Sequence, residues 1–211
     1  MNKELLITLE ILLTVVSPLL FLYLKSTWNL RVVILCLLGL PLVWYFTYAP
    51  LHEIAHIAGT YLVGGMVVDT KLIPRFWLGE FGRAWIETRG ITHPWQQLVS
   101  TGSPYILNVI CIVSGLFILR RRLSGNPFVV GLVFLLLCLR PAFDFLSELT
   151  GYVSGNRGDY DAMRTIIGSG LVSVYIAFSL GLSLISIVIV LKRFAAMRQS
   201  DHHIAVPREE N

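Results

Sequence analysis

The chain has 211 residues, 55% of them hydrophobic and only 14% charged, with a formal net charge of +4. Soluble domains carry about a quarter charged residues, so this composition excludes a disordered chain, a nucleic-acid-coating protein and an ordinary cytosolic enzyme. It predicts an all-α polytopic membrane protein of about five spans, with no room for a large soluble domain.

The first apolar run, Leu5 to Leu24, is long enough to cross a hydrocarbon core of about 30 Å. It passes into Lys25, Ser26, Thr27 and Trp28 rather than a small-residue cleavage site, so a retained span is expected. The second run, Leu30 to Ala49, holds Pro41 and is followed by Pro50. A kink or break is expected near Pro50. Whether Leu51 to Val63 continues that helix stays open; Gly64 and Gly65 end it.

Met66 to Thr101 is different in character. It holds Asp69, Lys71, Arg75, Glu80, Arg83, Glu87 and Arg89 among Phe76, Trp77, Phe81, Trp85 and Trp95. These charges exclude a span. MVVDTKLI and RAWIETRG, with Gly79 and Gly82 between them, read as two strands of a small β-hairpin at the membrane interface.

The third run is Ser103 to Leu119, closed by Arg120, Arg121 and Arg122. The fourth is Pro127 to Leu149, with Arg140, Asp144 and Glu148 in its second half. Arg140 and Asp144 are expected to form an intramembrane pair. Asp159 to Ile167 reads as a short helix with Asp159 as its N-cap. The last run, Gly170 to Leu191, is closed by Lys192 and Arg193, and the polar tail from Ala195 to Asn211 is expected to be mobile.

The organisation expected is one membrane-embedded domain. It divides into a first span and loop (1–29), a core (30–167), a last span (168–193) and a tail (194–211). The basic clusters at the span ends place the N-terminus outside and the C-terminus inside a plasma membrane of prokaryotic type. Cys36, Cys111 and Cys138 lie far apart in apolar runs, which predicts buried thiols rather than a disulfide or metal framework.

The strongest chemical signal is His52-Glu53-Ile54-Ala55-His56, an HExxH. Residues i and i+4 are neighbours on one helix face, so the two imidazoles can grip one Zn2+. Glu53 can reach a water beside it as general base. Such polar groups in an apolar run are costly unless they bind something. Two histidines leave the site short of a third protein ligand. His93 lies in the amphipathic loop, and His202 and His203 in the tail. Asp144 and Glu148 lie one turn apart, and Asp159 and Asp161 lie at a helix start; each pair can supply the carboxylate.

HEIAH on a membrane helix, then an interfacial hairpin, then Gly102-Ser103-Pro104-Tyr105-Ile106-Leu107-Asn108, then an Asp-bearing turn before a span, resembles the site-2 protease group of intramembrane zinc metalloproteases (peptidase family M50). The resemblance covers roughly Leu51 to Ile167. Ala55 stands where that family often has glycine, Ser103 splits the family's Gly-Pro pair, and Gly158-Asp159-Tyr160-Asp161 replaces its Leu-Asp-Gly triplet.

The resemblance implies a zinc endopeptidase acting on membrane-protein substrates. Its metal ligands would be His52, His56 and Asp159, or Asp161 as the alternative third ligand, with Glu53 catalytic. It also implies that Asn108 sits near the metal, contacting substrate or an oxyanion; an interhelical hydrogen bond is the competing role. An inactive zinc-binding homologue serving as scaffold or regulator is the alternative function. An ion transporter and a zinc hydrolase with Glu148 as third ligand are further classes. The expected partners are the substrate and the lipid bilayer, with no nucleic acid.

Overall fold

The computed structural model describes residues 3–24, 29–75, 78, 84–120, 127–155 and 158–204. Helix α1 (Lys3–Leu24) precedes a long rod built from α2 (Leu30–Ile34), a π-helical turn (Leu35–Gly39) and α3 (Leu40–Leu62). Pro50 lies inside α3 and does not end it. Of the expected kink or break, the break does not occur, and HEIAH sits on the same helix as Leu40. Prolines are tolerated in such helices when neighbouring elements satisfy the freed backbone groups.

A second rod has the same construction: α5 (Pro127–Phe134), a π-helical turn (Leu135–Leu139) and α6 (Arg140–Val153). Each π turn comes just before a proline, Pro41 or Pro141. A proline ring collides with the carbonyl four residues earlier. Those carbonyls belong to Leu37 and Leu137, inside the π turns, where wider winding makes room for the ring.

Between the rods lie the hairpin and α4 (Pro94–Arg120). Strands β1 (Met66–Lys71) and β2 (Trp85–Arg89) pair antiparallel, Met66 opposite Arg89 and Lys71 opposite Trp85, with a bulge between Val67 and Asp69. Gly64, at φ 81°, turns the chain out of α3 in a conformation that favours glycine. The Tyr45 hydroxyl donates to the Pro74 carbonyl and fastens the loop after β1 to α3. Gly79 and Gly82, expected between the strands, Arg83 at the start of the second expected strand, and Phe76, Trp77, Glu80 and Phe81 lie outside the described residues, as do Lys25, Arg121 and Arg122.

Helix α4 starts at Pro94, well before the apolar run at Ser103. The Gln96 side-chain oxygen accepts from the Thr92 and His93 backbone N–H groups at 3.1 and 3.0 Å. With proline at the first helical position, this is a local start signal independent of hydropathy. His93 serves there as cap and is exposed. After α6 come α7 (Asp159–Ile167) and α8 (Ser169–Ile204). The stretch from Ala195 to Ile204 is therefore helical. Its Ala-Ala-Met-Arg-Gln composition favours that state. Residues 205–211, and the side chains of His202 and His203, lie outside the described set.

Four helical segments, Leu30–Leu62, Pro94–Leu119, Phe128–Val153 and Ser169–Lys192, are long and apolar enough to cross a membrane, consistent with a multi-pass membrane protein. The five expected spans correspond to these four and α1, whose described apolar stretch, Thr8–Leu19, is shorter. Glu10 on α1 accepts from the Trp44 indole N–H at 3.2 Å, which gives this carboxyl a partner in an otherwise apolar run.

Two apolar clusters form the core. One gathers Leu40, Trp44, Leu135, Cys138 and Phe143; the other gathers Tyr105, Ile112, Phe145, Tyr160 and Val172. Helix α6 sends Phe143 into the first and Phe145 into the second, with Asp144 between them. Cys36 and Cys138 are buried, Cys111 is partly buried, and all three are free thiols.

Close packing of α3 on α4 sets the position of HEIAH. Small residues let helix backbones approach in a membrane, and here Gly59 meets Ser103 while the Thr60 and Ser100 hydroxyls bond at 2.7 Å. A Cβ at Gly59 would lie 2.8 Å from Ser103 Cβ and 3.0 Å from the Val99 carbonyl. Gly59→Leu is therefore expected to cost about 1–3 kcal/mol of stability, as overpacking does, and to displace His56 one turn away. Thermal unfolding in detergent checks this, and an unchanged midpoint would contradict the packing.

Candidate metal centre

His52 and His56 stand one turn apart on α3, their rings 4.7 Å between centroids and nearly perpendicular. Each ring is anchored through Nδ1. The His52 Nδ1–H donates to Asp144 Oδ2 on α6 at 2.9 Å. The His56 Nδ1–H donates to the Ser100 carbonyl on α4 at 2.8 Å. A carboxylate and a carbonyl can only accept, so both Nδ1 atoms carry protons, and with the rings neutral both Nε2 atoms present lone pairs.

Those two lone pairs face each other at 3.0 Å. Asp159 Oδ2 completes a triangle, 3.4 Å from His52 Nε2 and 3.1 Å from His56 Nε2. Three acceptors held this close repel one another unless a cation lies between them. For zinc with bonds of about 2.0 Å, tetrahedral ligand atoms stand about 3.3 Å apart. The observed distances fit such an edge, and two imidazoles with one carboxylate suit the same ion. His52, His56 and Asp159 thus form a group that can hold a metal ion.

Asp159 reaches the site because α7 starts there. The N-cap is Gly158, with no side-chain capping bond. This corrects the expectation that Asp159 caps the helix: its carboxylate is taken by the histidines and by Tyr105, whose hydroxyl donates to Oδ2 at 2.8 Å. Asp161, the other aspartate considered, faces Arg164 in an i,i+3 pair at 2.7 Å.

Helix α6 supports both sides of the triangle. Asp144 holds His52, while Glu148 Oε1, one turn on, accepts the Tyr160 N–H of α7 at 3.2 Å. A Cβ on Gly158 would lie 3.1 Å from Glu148 Cδ, so glycine there leaves room for the carboxylate. The Tyr48 and Ser147 hydroxyls meet at 3.1 Å and tie α3 to α6 beside the same site.

Asn108 is placed differently from the oxyanion role weighed for it. It is fully buried behind His52, with its amide N donating to Asp144 Oδ2 at 2.6 Å and its amide O accepting from Arg140 Nη2 at 2.9 Å. With both ends engaged, and absent from the residues lining the cavity, it takes the interhelical role. The expected Arg140–Asp144 pairing is correspondingly relayed through Asn108.

A cavity of about 340 Å³ opens over the triangle. Glu53 lines it beside His52, His56, Asp159 and Glu148, and β2 contributes Trp85, Ile86 and Thr88. The carboxylate next to the first histidine therefore faces the same space as the three acceptors, with a strand at its border.

Sequence reasoning missed three contributors. Ser100 acts through its carbonyl, which every residue has, so no sequence signal marks it. Tyr105 stands in a stretch singled out for Asn108, but its partner Asp159 lies 54 residues further along the chain, so no short-range pattern marks it. Asp144 suits a ligand's role or a partnership with Arg140 by its place in the sequence, and its bond to His52, 92 residues away, has no local signal.

Comparison of the chain with models of known families, with curated proteins and with solved structures finds no match.

Proposed function

We propose that this chain is an intramembrane zinc metalloprotease, similar to the site-2 protease group, that hydrolyses peptide bonds of membrane-protein substrates. One observation carries the reading: two imidazole lone pairs and a carboxylate converge beside Glu53 at the floor of a single cavity. When bound there, zinc would supply Lewis acidity, polarising a carbonyl and making water more acidic.

The chain's own groups do the rest. Glu53 takes a proton from the attacking water and returns it to the leaving amine, so one peptide bond and one water become a carboxyl and an amine. His52, His56 and Asp159 would hold the ion. A substrate helix hides its carbonyls in its own hydrogen bonds and must unwind locally. Strand β2, at the cavity's border, is placed to pair with the unwound segment by strand addition. An intact Glu53 favours this reading over a metal-binding scaffold that does not cut.

The test is the zinc content of detergent-purified protein, followed by cleavage of transmembrane peptides with helix-weakening residues. One zinc per chain and chelator-sensitive cleavage are expected; absence of zinc under metal-replete conditions overturns the proposal. Strand addition makes a separate prediction. Proline placed in β2 where the N–H points away from β1 removes one substrate bond. It should slow cleavage about tenfold, the equivalent of about 1.4 kcal/mol, with zinc content unchanged. Cleavage at the wild-type rate would exclude strand addition.

A further inference from the structure

Among the described residues Arg140 is the largest side chain wholly withdrawn from solvent, at 0% exposure, and Asn108 and Asp144 beside it are at 0% and 4%. Burying an arginine, an amide and a carboxylate together inside membrane-spanning helices is expensive. None of the three lines the cavity, so direct contact with substrate does not explain them.

Their order does. Arg140 Nη2 donates to the Asn108 amide oxygen, the Asn108 amide nitrogen donates to Asp144 Oδ2, and the same oxygen accepts from His52 Nδ1. Arginine can only donate and the carboxylate can only accept, so the orientation of the Asn108 amide is fixed by its neighbours. The chain of hydrogen bonds links a permanent positive charge to a metal-facing imidazole, with donors on both sides pointing toward Asp144, and crosses from α6 to α4, back to α6, and on to α3. Phe143 and Phe145 flank Asp144 on α6 and enter separate apolar clusters, which holds its carboxylate against sideways movement.

We propose that Asp144 is a positioning residue for the metal site, acting through His52, and that Asn108 and Arg140 hold it in place. The inference rests on the reading of His52 as a metal ligand. The relay fixes the proton on Nδ1, aims Nε2 at Asp159 and His56, and makes the ring a stronger donor to a cation. Arg140 balances the carboxylate's charge without touching it, so both Asp144 hydrogen bonds remain directed. Ser100 does the corresponding service for His56 with a neutral carbonyl, so the two imidazoles differ in donor strength.

The test is zinc affinity, by competition with a chromophoric chelator, for the full chain in detergent. Wild type, Asp144→Asn and Asp159→Asn are compared, with Co2+ spectra of each. Asp144→Asn should weaken zinc about 10–100-fold, still bind one ion at saturation and shift the Co2+ bands. Asp159→Asn should lose more. Unchanged affinity and spectrum in Asp144→Asn overturn the proposal and leave the metal site standing. Complete loss of zinc with Asp144→Asn, and retention with Asp159→Asn, also overturns it, making Asp144 itself a ligand. No zinc in wild type defeats the underlying reading instead. Should Asp144→Asn fail to fold, 15N spectra of histidine-labelled wild type with zinc decide. Nδ1 of His52 should carry the proton, and a proton on Nε2 would overturn the relay.

Discussion

Glu53→Gln is expected to lower peptide hydrolysis by about 10²–10⁴-fold, the usual contribution of a general base, and to leave zinc content unchanged. Glutamine keeps the size of the side chain and its place on the cavity wall, but it cannot accept the proton of an attacking water. Glu53 is not one of the three convergent acceptors, so the metal set remains complete. Its partial exposure means the substitution strands no charge in the core. A variant that loses activity and zinc together would show that Glu53 helps hold the ion. A variant that cuts at the wild-type rate would place the base elsewhere, with Glu148, on the same cavity wall, next in line.

His56→Ala carries the second large effect. It removes one of three ligand atoms, and zinc binding should fall by more than the roughly 10–100-fold that outer partners cost. A ligand that binds only the folded state stabilises it, by about 4 kcal/mol at a thousandfold excess over Kd. Wild type should therefore unfold at a lower temperature when chelator is added, and His56→Ala should lose that chelator-dependent shift along with its zinc. Asp159→Asn should behave the same way. Asp161→Asn should keep both zinc and the shift, because Asp161 faces Arg164 rather than the histidines. Loss of zinc with Asp161→Asn would contradict the arrangement of α7.

Much of the frame is legible because it depends on local spacing. HEIAH puts two imidazoles on one face wherever the helix is continuous, and the β-branched and aromatic residues of MVVDTKLI and RAWIETRG, with glycines between the two segments, mark both strands. Other features depend on contacts made by distant segments. The start of α4 at Pro94 follows from Gln96 and the proline, not from hydropathy. Asp159 and Asp161 look alike in sequence, and only the seating of α7 against α3 and α6 separates them. Asn108 was weighed between two roles because an amide suits either. Its place between Arg140 and Asp144 depends on three helices meeting, which no short-range pattern encodes.

The paired π turns have a consequence for how this bundle can vary. Each winds its rod with one residue more than a regular α-helix needs, and one residue is about 100° of helical phase. Leu35–Gly39 and Leu135–Leu139 therefore set the rotation between the early half of each rod and the half that bears His52 and His56, or Asp144 and Glu148. Removing a single residue from either turn would leave composition and hydropathy almost untouched. It would also swing the reactive face away from its partners, so within these two stretches the number of residues is a stricter inheritance than their identity.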